Sequence, residues 1–183
     1  MNVKLRPTTH DDLDFVVALE HSAENRRFVN VWSRDQHLAA LSSEDLRHLI
    51  VESADGKRAG YVILAGLLDP NRSIEFRRIV IGDKQRGFGK EALRLVKMMA
   101  FDELSAHRLW LDVKEDNLRA RHVYKSQGFS IEGVMRECLK ADEGYESLVL
   151  MAILEAEYRS EDRPPIRSAE DDARSRLHGS QSC

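Results

Sequence analysis

Apolar residues along the first 159 positions recur with two periods, which together predict an α/β domain. Alternating and β-branched runs predict seven strands, at about residues 3–6, 46–53, 59–67, 73–81, 107–114, 129–139 and 146–154. Helical spacing and capping signals predict four helices, which begin after Thr8 or Thr9, near His37, after the glycines near residue 88, and at Asn117. The order β-α-α-β-β-β-α-β-α-β-β corresponds to a mixed sheet of about seven strands flanked by about four helices.

Composition changes at the end of this domain. Residues 160–183 contain Pro164 and Pro165, many charges and few apolar side chains. Such a segment buries too little apolar surface to offset the entropy lost on ordering. We therefore expect one domain over residues 1–159 and a disordered tail over residues 160–183.

Charge and cysteine content narrow the class of protein. The net charge of -3 argues against a nucleic-acid binder with a broad basic face. Two cysteines, Cys138 and Cys183, are too few for a disulfide framework, and neither has a metal-ligand spacing. The longest apolar run, residues 61–68, is too short to cross a bilayer, and the first residues lack the apolar core of a signal peptide. We expect a cytoplasmic protein that binds no nucleic acid, no membrane and no metal.

The most informative segment is a glycine loop between a predicted strand and a predicted helix. The strand ends at Ile79, Val80 and Ile81, and the loop carries Gly87 and Gly89 before helix-forming residues follow. This layout exposes backbone N–H groups at a helix N-terminus, where peptide dipoles converge and phosphate binds. The loop therefore predicts a site for a phosphate-bearing ligand.

Other interpretations of the loop fit less well. A nucleoside-triphosphate loop needs Lys followed by Ser or Thr, where this chain has Phe88 and Gly89. A dinucleotide fingerprint matches Gly87 to Ala92, with Asp112 as the ribose ligand, but five residues separate its first glycine from the strand. The ordered chain after Asp112 is also too short for that fold. A plain tight turn would leave the polar residues downstream unexplained.

A second motif lies one strand and one helix later, at residues 109–129. It places Asp112 on a strand, Asn117 at a helix start, Tyr124 within that helix and Gly128 at its end. Together with the glycine loop, this motif resembles the GNAT superfamily of acetyl-CoA-dependent N-acetyltransferases, and the similarity covers almost all of the chain except the tail. The residues after Gly128 are similar to the branch that holds ribosomal-protein N-terminal and spermidine/spermine acetyltransferases.

The resemblance implies acetyl-CoA as cosubstrate. The family loop begins with Gln or Arg, and this chain has Lys at that position. The chain residues at the family's cofactor-binding positions are Ile79, Val80, Ile81, Lys84, Gln85, Arg86, Gly87, Phe88, Gly89, Lys90, Asn117 and Tyr124. In this family the strand end just before the loop also supplies the N–H that stabilises the oxyanion.

Acetylation of an amine needs an acid and a base. The departing thiolate must gain a proton, and the attacking amine must lose one. Tyr124 matches the family's general acid, although a core tyrosine is the alternative. It lies seven residues after Asn117, so the two share one helix face.

Two carboxylates are candidate bases. Asp112 stands where ribosomal-protein alanine acetyltransferases carry a base, and Glu75 lies on the preceding strand, where the family often has a glutamate. Asp112 could instead form an ion pair with Arg108 or Lys114, and Glu75 could instead form one with Arg77 or Arg72.

The region between the first two helices walls the acceptor site in this family. It contains Arg26, Arg27, Phe28 and Trp32, which are candidate acceptor contacts or simply core residues. The histidines show no ligand spacing, and we expect solvated side chains at His21, His37, His48, His107 and His122.

The resemblance implies an acyltransferase that moves acetyl from acetyl-CoA to a primary amine by direct attack in a ternary complex. The implied acceptor is a small-molecule or peptide amine. A sensor module that binds acyl-CoA without catalysis is the alternative, and the presence of Tyr124 and Asn117 argues against it. A homodimer stays open, because the final strands of this fold often pair between subunits.

Overall fold

One mixed sheet carries the fold. Within residues 3–82, 86–141 and 144–161, which the computed structural model describes, there are seven strands and five α-helices. The strands are β1 (Val3–Pro7), β2 (Leu46–Ser53), β3 (Arg58–Ala65), β4 (Ser73–Ile81), β5 (Arg108–Lys114), β6 (Ser130–Lys140) and β7 (Tyr145–Leu154). The helices are α1 (Leu13–His21), α2 (Arg34–Leu41), α3 (Phe88–Met98), α4 (Leu118–Ser126) and α5 (Glu155–Glu161). The predicted α/β class and seven strands are confirmed.

The helix count differs from the prediction by α5. This helix is short and mostly charged, and Tyr158 is its buried anchor. The ring of Tyr158 stacks on Phe101 with centroids 4.8 Å apart, and its hydroxyl donates to Asp102 Oδ2 at 2.9 Å. Because only one apolar side chain holds α5, helical periodicity could not reveal it. The rest of the predicted tail, residues 162–183, lies outside the described residues.

Strand order within the sheet is β1-β2-β3-β4-β5-β7-β6. All neighbours are antiparallel except β4 and β5, which are parallel. Their pairing is limited to three residue pairs and ends at Glu75 and Trp110. Beyond that point β4 continues to Ile81 and β5 to Lys114 without pairing to each other. The sheet therefore opens into a gap between the two strands, hereafter the fork.

A β-bulge lies on β4 at the start of the fork. Ile63 pairs with Arg78 and Ala65 with Glu75, so two residues of β4 oppose the single residue between them on β3. The extra residue reverses the alternation of side chains along the rest of β4. In an unbroken strand the side chain of Arg78 would lie on the α3 side of the sheet. Because of the bulge, it lies on the α1 and α2 side instead.

The sheet has two dissimilar faces. The face that carries α3, α4 and α5 holds the larger apolar cluster, which includes Leu93, Leu111 and Phe129. The face that carries α1 and α2 holds a smaller cluster built around Val16 and Tyr61. Within the described ranges, no helix is both long enough and apolar enough to span a bilayer.

Candidate active site

The glycine loop leads into α3 beside the fork. Gly87 caps α3 with φ of 70°, a left-handed conformation that favours glycine, and a Cβ there would meet nothing within 4 Å. The backbone conformation, and not lack of space, therefore requires glycine at this position. The first-turn N–H groups of α3 have no partner one turn earlier in the helix, which leaves them available to an anion.

The other loop residues divide between core and surface. Phe88 is buried in the apolar cluster, and the guanidinium of Arg86 lies 4.9 Å from the centre of its ring. Lys90 is exposed on the first turn of α3. The predicted cofactor contacts Lys84 and Gln85 lie outside the described residues.

Tyr124 lies on α4 next to the fork. Asn117 caps this helix, and its Oδ1 accepts a hydrogen bond from the N–H of Ala120 at 3.1 Å. Seven residues later, the ring of Tyr124 packs against Phe76 of β4 and Phe129, with centroids 6.4 Å and 6.0 Å away. Burial and the negative charge of Asp112 raise the pKa of the phenol. Tyr124 therefore holds its proton at neutral pH, as a general acid must.

Asp112 emerges on the opposite face of the sheet. Its neighbours Leu111 and Val113 are buried among the apolar side chains around α3, so the strand alternation directs Asp112 toward the α1 and α2 side. Within the described ranges its carboxylate forms no hydrogen bond or ion pair. Desolvation and the charge of Glu75 raise its pKa, while Arg77 lowers it. A raised pKa makes this carboxylate a stronger proton acceptor.

Asp112 and Glu75 differ in whether they form the ion pairs that the sequence allowed. Lys114 pairs with Glu146 at 2.5 Å and Arg108 pairs with Glu132, so neither cation neutralises Asp112. Glu75 instead accepts two hydrogen bonds from Arg77, at 2.6 and 3.0 Å. The surface-pair alternative is therefore observed for Glu75 and is wrong for Asp112. Of the two carboxylates, Glu75 is therefore paired with a cation, and Asp112 is not paired with any described residue.

The segment between α1 and α2 crosses the fork on the face to which Asp112 points. Near one end, Arg27 donates to Asp116 Oδ2 at 2.6 Å, and Asp116 immediately precedes the cap of α4. Near the other end, Arg78 of β4 donates to the carbonyl oxygen of Asn30 at 2.7 Å. Residues 26–32, hereafter the crossing segment, therefore contact β4 and the turn that follows β5.

Two of the five histidines predicted to be solvated are buried, so that prediction is wrong for them. His37 is 0% exposed and His48 is 5% exposed. The side chains of His21, His107 and His122 are exposed as predicted.

The buried histidines contact each other. His48 Nε2 lies 3.1 Å from His37 Nδ1, and His48 Nδ1 lies 2.8 Å from Thr8 Oγ1. A signal for this burial exists in the sequence: His48 is two residues before the apolar Ile50 on β2, and residues two apart share a strand face. His37 thus joins α2 to His48 on β2.

Known proteins share this fold. Residues 2–130 match the family model described as an acetyltransferase (GNAT) domain. The class defined by the fold and the site is therefore that of the acetyltransferases. The predicted resemblance is confirmed: the chain belongs to the GNAT family, and it is an acyltransferase that uses acetyl-CoA to acetylate an amine.

Relatives within the family are similar over most of their length. The chain is 30% identical over 175 residues to the spermidine N(1)-acetyltransferase of Escherichia coli (strain K12), covering 90% of this chain and 92% of that protein. A spermidine N(1)-acetyltransferase of Vibrio cholerae is 28% identical over 165 residues, covering 84% and 94%. The crystal structure of spermidine N-acetyltransferase from Vibrio cholerae in complex with CoA and spermine superposes with a TM-score of 0.78 and 25% identity, covering 86% of this chain and 98% of that one.

Proposed function

We propose that this chain acetylates a primary amine by direct attack within the fork, with Tyr124 as general acid and Asp112 as general base. The observation that carries the proposal is their placement. The two residues lie on opposite faces of the sheet beside the same gap, and the charge of Asp112 raises the pKa of Tyr124. A donor and an acceptor of protons thus stand on either side of a passage between two strands.

The fork and the loop together suit acetyl-CoA. The N–H groups at the start of α3 would hold its diphosphate, with Arg86 and Lys90 beside them. From Ile79 to Ile81, β4 pairs with β3 on one side only, and its backbone groups on the side facing β5 would bind the arm and the carbonyl oxygen of the thioester. Asn117 and Tyr124 would contact the arm from α4, and Lys84 and Gln85 complete the proposed set.

The proton inventory explains why a base is needed. Acetyl-CoA supplies an acetyl group activated as a thioester. An alkyl amine with pKa about 10.4 is neutral in roughly one molecule per thousand near pH 7.4, an offset of about 4 kcal/mol. Asp112 accepts a proton from the bound ammonium, which leaves the neutral amine that attacks the carbonyl carbon. The nitrogen loses its second proton once the C–N bond has formed, and that proton replaces the one that Tyr124 gives up. Tyr124 donates a proton to the sulfur as the C–S bond breaks.

We infer a linear polyamine of the spermidine type as the acceptor. The support is the similarity to spermidine acetyltransferases over 90% of the chain. Asp112 adds a second observation: its carboxylate has no ion-pair partner among the described residues, whereas Glu75 pairs with Arg77 and Asp116 pairs with Arg27. A carboxylate without a paired cation attracts an ammonium group of the acceptor.

A variant of Tyr124 tests the chemistry. We expect Tyr124→Phe to lower kcat by about tenfold or more, because the thiolate loses its proton donor, while the Kd of acetyl-CoA changes by less than about twofold. Stopped-time assays of CoA release and calorimetric titration measure the two quantities. Unchanged kcat would remove Tyr124 from the mechanism.

A panel of amines tests the acceptor class. Free CoA release would be followed with spermidine, monoamines and peptides bearing ribosomal-protein N-termini. We expect spermidine to give the largest kcat/KM. A better peptide acceptor would overturn the polyamine assignment, and acetyl-CoA binding without turnover on any amine would favour the sensor module.

The base is tested by pH. Asp112 must be ionised to act, so kcat/KM should fall as the pH drops through its raised pKa. Asp112→Asn should lower kcat/KM and remove this acidic limb. An unchanged limb in Asp112→Asn would assign it to another group, with Glu75→Gln as the next variant to measure.

A further inference from the structure

A buried carboxylate at the end of α1 joins several elements of the acceptor face. Glu20 is 0% exposed. It accepts hydrogen bonds from the Tyr61 hydroxyl, from Arg78 Nη1 at 2.7 Å and from the N–H of Trp32 at 2.8 Å. The Nε2 atom of His37 approaches it to 3.3 Å without hydrogen-bonding geometry. One carboxylate therefore contacts β3, β4, the crossing segment and α2.

These contacts keep Glu20 ionised. Burial alone would raise the pKa of the carboxyl group. The neighbouring His37 and Tyr61 side chains, the Trp32 N–H and the charge of Arg78 outweigh burial and lower the pKa to about 2. Glu20 and Arg78 thus form a charged pair inside the protein at neutral pH.

Arg78 extends the pair onto the crossing segment. Its side chain is 9% exposed. Besides Glu20, it donates to the carbonyl oxygen of Asn30 through Nη2 at 2.7 Å, and its guanidinium lies 4.4 Å from the centre of the Trp32 ring. A guanidinium can make these contacts at once because its donors are fixed in a planar fork and its face stacks on aromatic rings.

Arg78 also belongs to β4, the strand proposed to bind the thioester. The bulge on β4 places it on the acceptor face, and it directly precedes Ile79, the first residue of the strand end proposed to bind the thioester. The side chain of Arg78 therefore fixes the crossing segment to the backbone that would hold the acetyl group. The distance between the crossing segment and the backbone of β4 would determine where an acceptor amine can bind.

We infer that Glu20 and Arg78 are positioning residues of this enzyme: together they hold the crossing segment over the fork as the wall that orients the acceptor amine. This inference rests on the proposed function. Attack on a thioester requires the nitrogen within about 3–3.5 Å of the carbonyl carbon in an aligned geometry, so a small displacement of the wall costs rate. A buried ion pair is weak support for stability but can specify one arrangement.

The chain offers a matched control at the other end of the sheet. Asp12 is a 4% exposed carboxylate that accepts two hydrogen bonds from Arg6, at 2.7 and 2.9 Å. It contacts neither the crossing segment nor the fork. Glu20→Gln and Asp12→Asn each replace a buried, paired carboxylate with the amide of the same shape, so both report the general cost of losing such a pair.

The experiment measures acceptor KM, kcat and acetyl-CoA Kd for the full chain and both variants, with hydrogen exchange of peptides covering residues 26–33. We expect Glu20→Gln to raise acceptor KM by about tenfold or more and to accelerate exchange in these peptides, with acetyl-CoA Kd within about twofold. Asp12→Asn should leave acceptor KM and this exchange unchanged, even where both variants unfold at a lower temperature.

A more conservative variant tests the inference even if Glu20→Gln misfolds. Arg78→Lys keeps the charge beside Glu20 but loses the planar guanidinium that also reaches Asn30 and Trp32, so it should show the same change in acceptor KM at smaller size. Equal effects of Glu20→Gln and Asp12→Asn, or an unchanged acceptor KM in Arg78→Lys, would overturn the inference. A wild-type protein that acetylates no amine would overturn the proposed function instead, and exchange at residues 26–33 would still report on the wall.

Discussion

The two faces of the sheet differ in the side chains that they bury: one buries mainly apolar side chains, and the other also buries charged and polar ones. On the α3 and α4 face, apolar side chains such as Leu93 and Leu111 form a continuous core beneath the proposed cofactor site. On the α1 and α2 face, an ionised Glu20 and the histidines His37 and His48 are buried. The first face supports a ligand held mostly by backbone groups, whereas the second must set side-chain positions around an acceptor.

The two faces should tolerate different kinds of substitution. An apolar core tolerates substitutions of similar volume, since its contacts are not directional. A buried polar network is directional, and each member depends on partners in other elements. We therefore expect substitutions on the apolar face to change the free energy of unfolding according to side-chain volume. On the polar face, we expect charge and pH to change it.

The largest effect should come from a cavity on the apolar face. Leu93 of α3 is 1% exposed within the larger cluster. Leu93→Ala should lower the free energy of unfolding by about 2–5 kcal/mol, because the removed methyl groups lose their contacts and leave a void. Urea denaturation at pH 7.5 and pH 5 measures it. The loss should be equal at the two pH values, and a loss that depends on pH would contradict the assignment of the surroundings of Leu93 as apolar.

A somewhat smaller effect should come from acid acting on the polar face. Burial, then the neighbouring His37 and Arg78, lowers the pKa of His48 to about 4, from 6.5 when unfolded. Between these values the unfolded chain binds more protons than the folded one. Stability is therefore complete above pH 6.5 and falls as the pH drops toward 4, by roughly 3 kcal/mol at most. Denaturation midpoints across this range measure the slope.

The groups around His48 determine the sign of this prediction. Thr8 Oγ1 and the His37 ring contact its two nitrogens, Tyr61 stacks on its ring with centroids 5.3 Å apart, and the charges of Glu20 and Asp12 only partly offset the burial. His48→Gln should flatten the slope between pH 6.5 and 4. The exposed His107→Gln is the control and should leave the slope unchanged. A flat wild-type profile would show that protonated His48 is tolerated.

The sequence predicted the apolar face far better than the polar one. Strands β2 to β7 follow from alternation and β-branched runs, and β4 has the predicted bounds of residues 73 to 81. The glycine cap of α3 and the helix of Tyr124 follow from local signals, since Gly87 and Asn117 act within one turn of chain. Local chemistry of this kind is readable in a single sequence.

The features that the sequence did not predict depend on contacts between residues distant in sequence. Glu20 and Arg78 are 58 residues apart, and His48 alone gives no sign that His37 and Thr8 will satisfy its ring nitrogens. A polar residue is expected at the surface unless its partners are known. The fork likewise follows from where the pairing of β4 and β5 ends, which periodicity does not report.

The smallest effect should come from the exposed end of the crossing segment. Arg27 and Asp116 form an ion pair at 2.6 Å, with side chains 67% and 53% exposed. Because water screens such a pair, Arg27→Gln should lower the free energy of unfolding by less than about 1 kcal/mol. The buried end at Arg78 should therefore fix the segment, and the exposed end should only limit its motion.

A double-mutant cycle isolates this pair. Arg27→Gln, Asp116→Asn and the double variant would be compared in urea denaturation and in acceptor KM, at low and high salt. We expect a coupling energy below about 1 kcal/mol that fades as salt rises, and KM changes of less than about fivefold. A coupling energy that matches the effect of Glu20→Gln and persists in salt would show that both ends hold the wall equally. The expectation that Arg78 fixes the crossing segment more firmly than the Arg27–Asp116 pair would then be wrong.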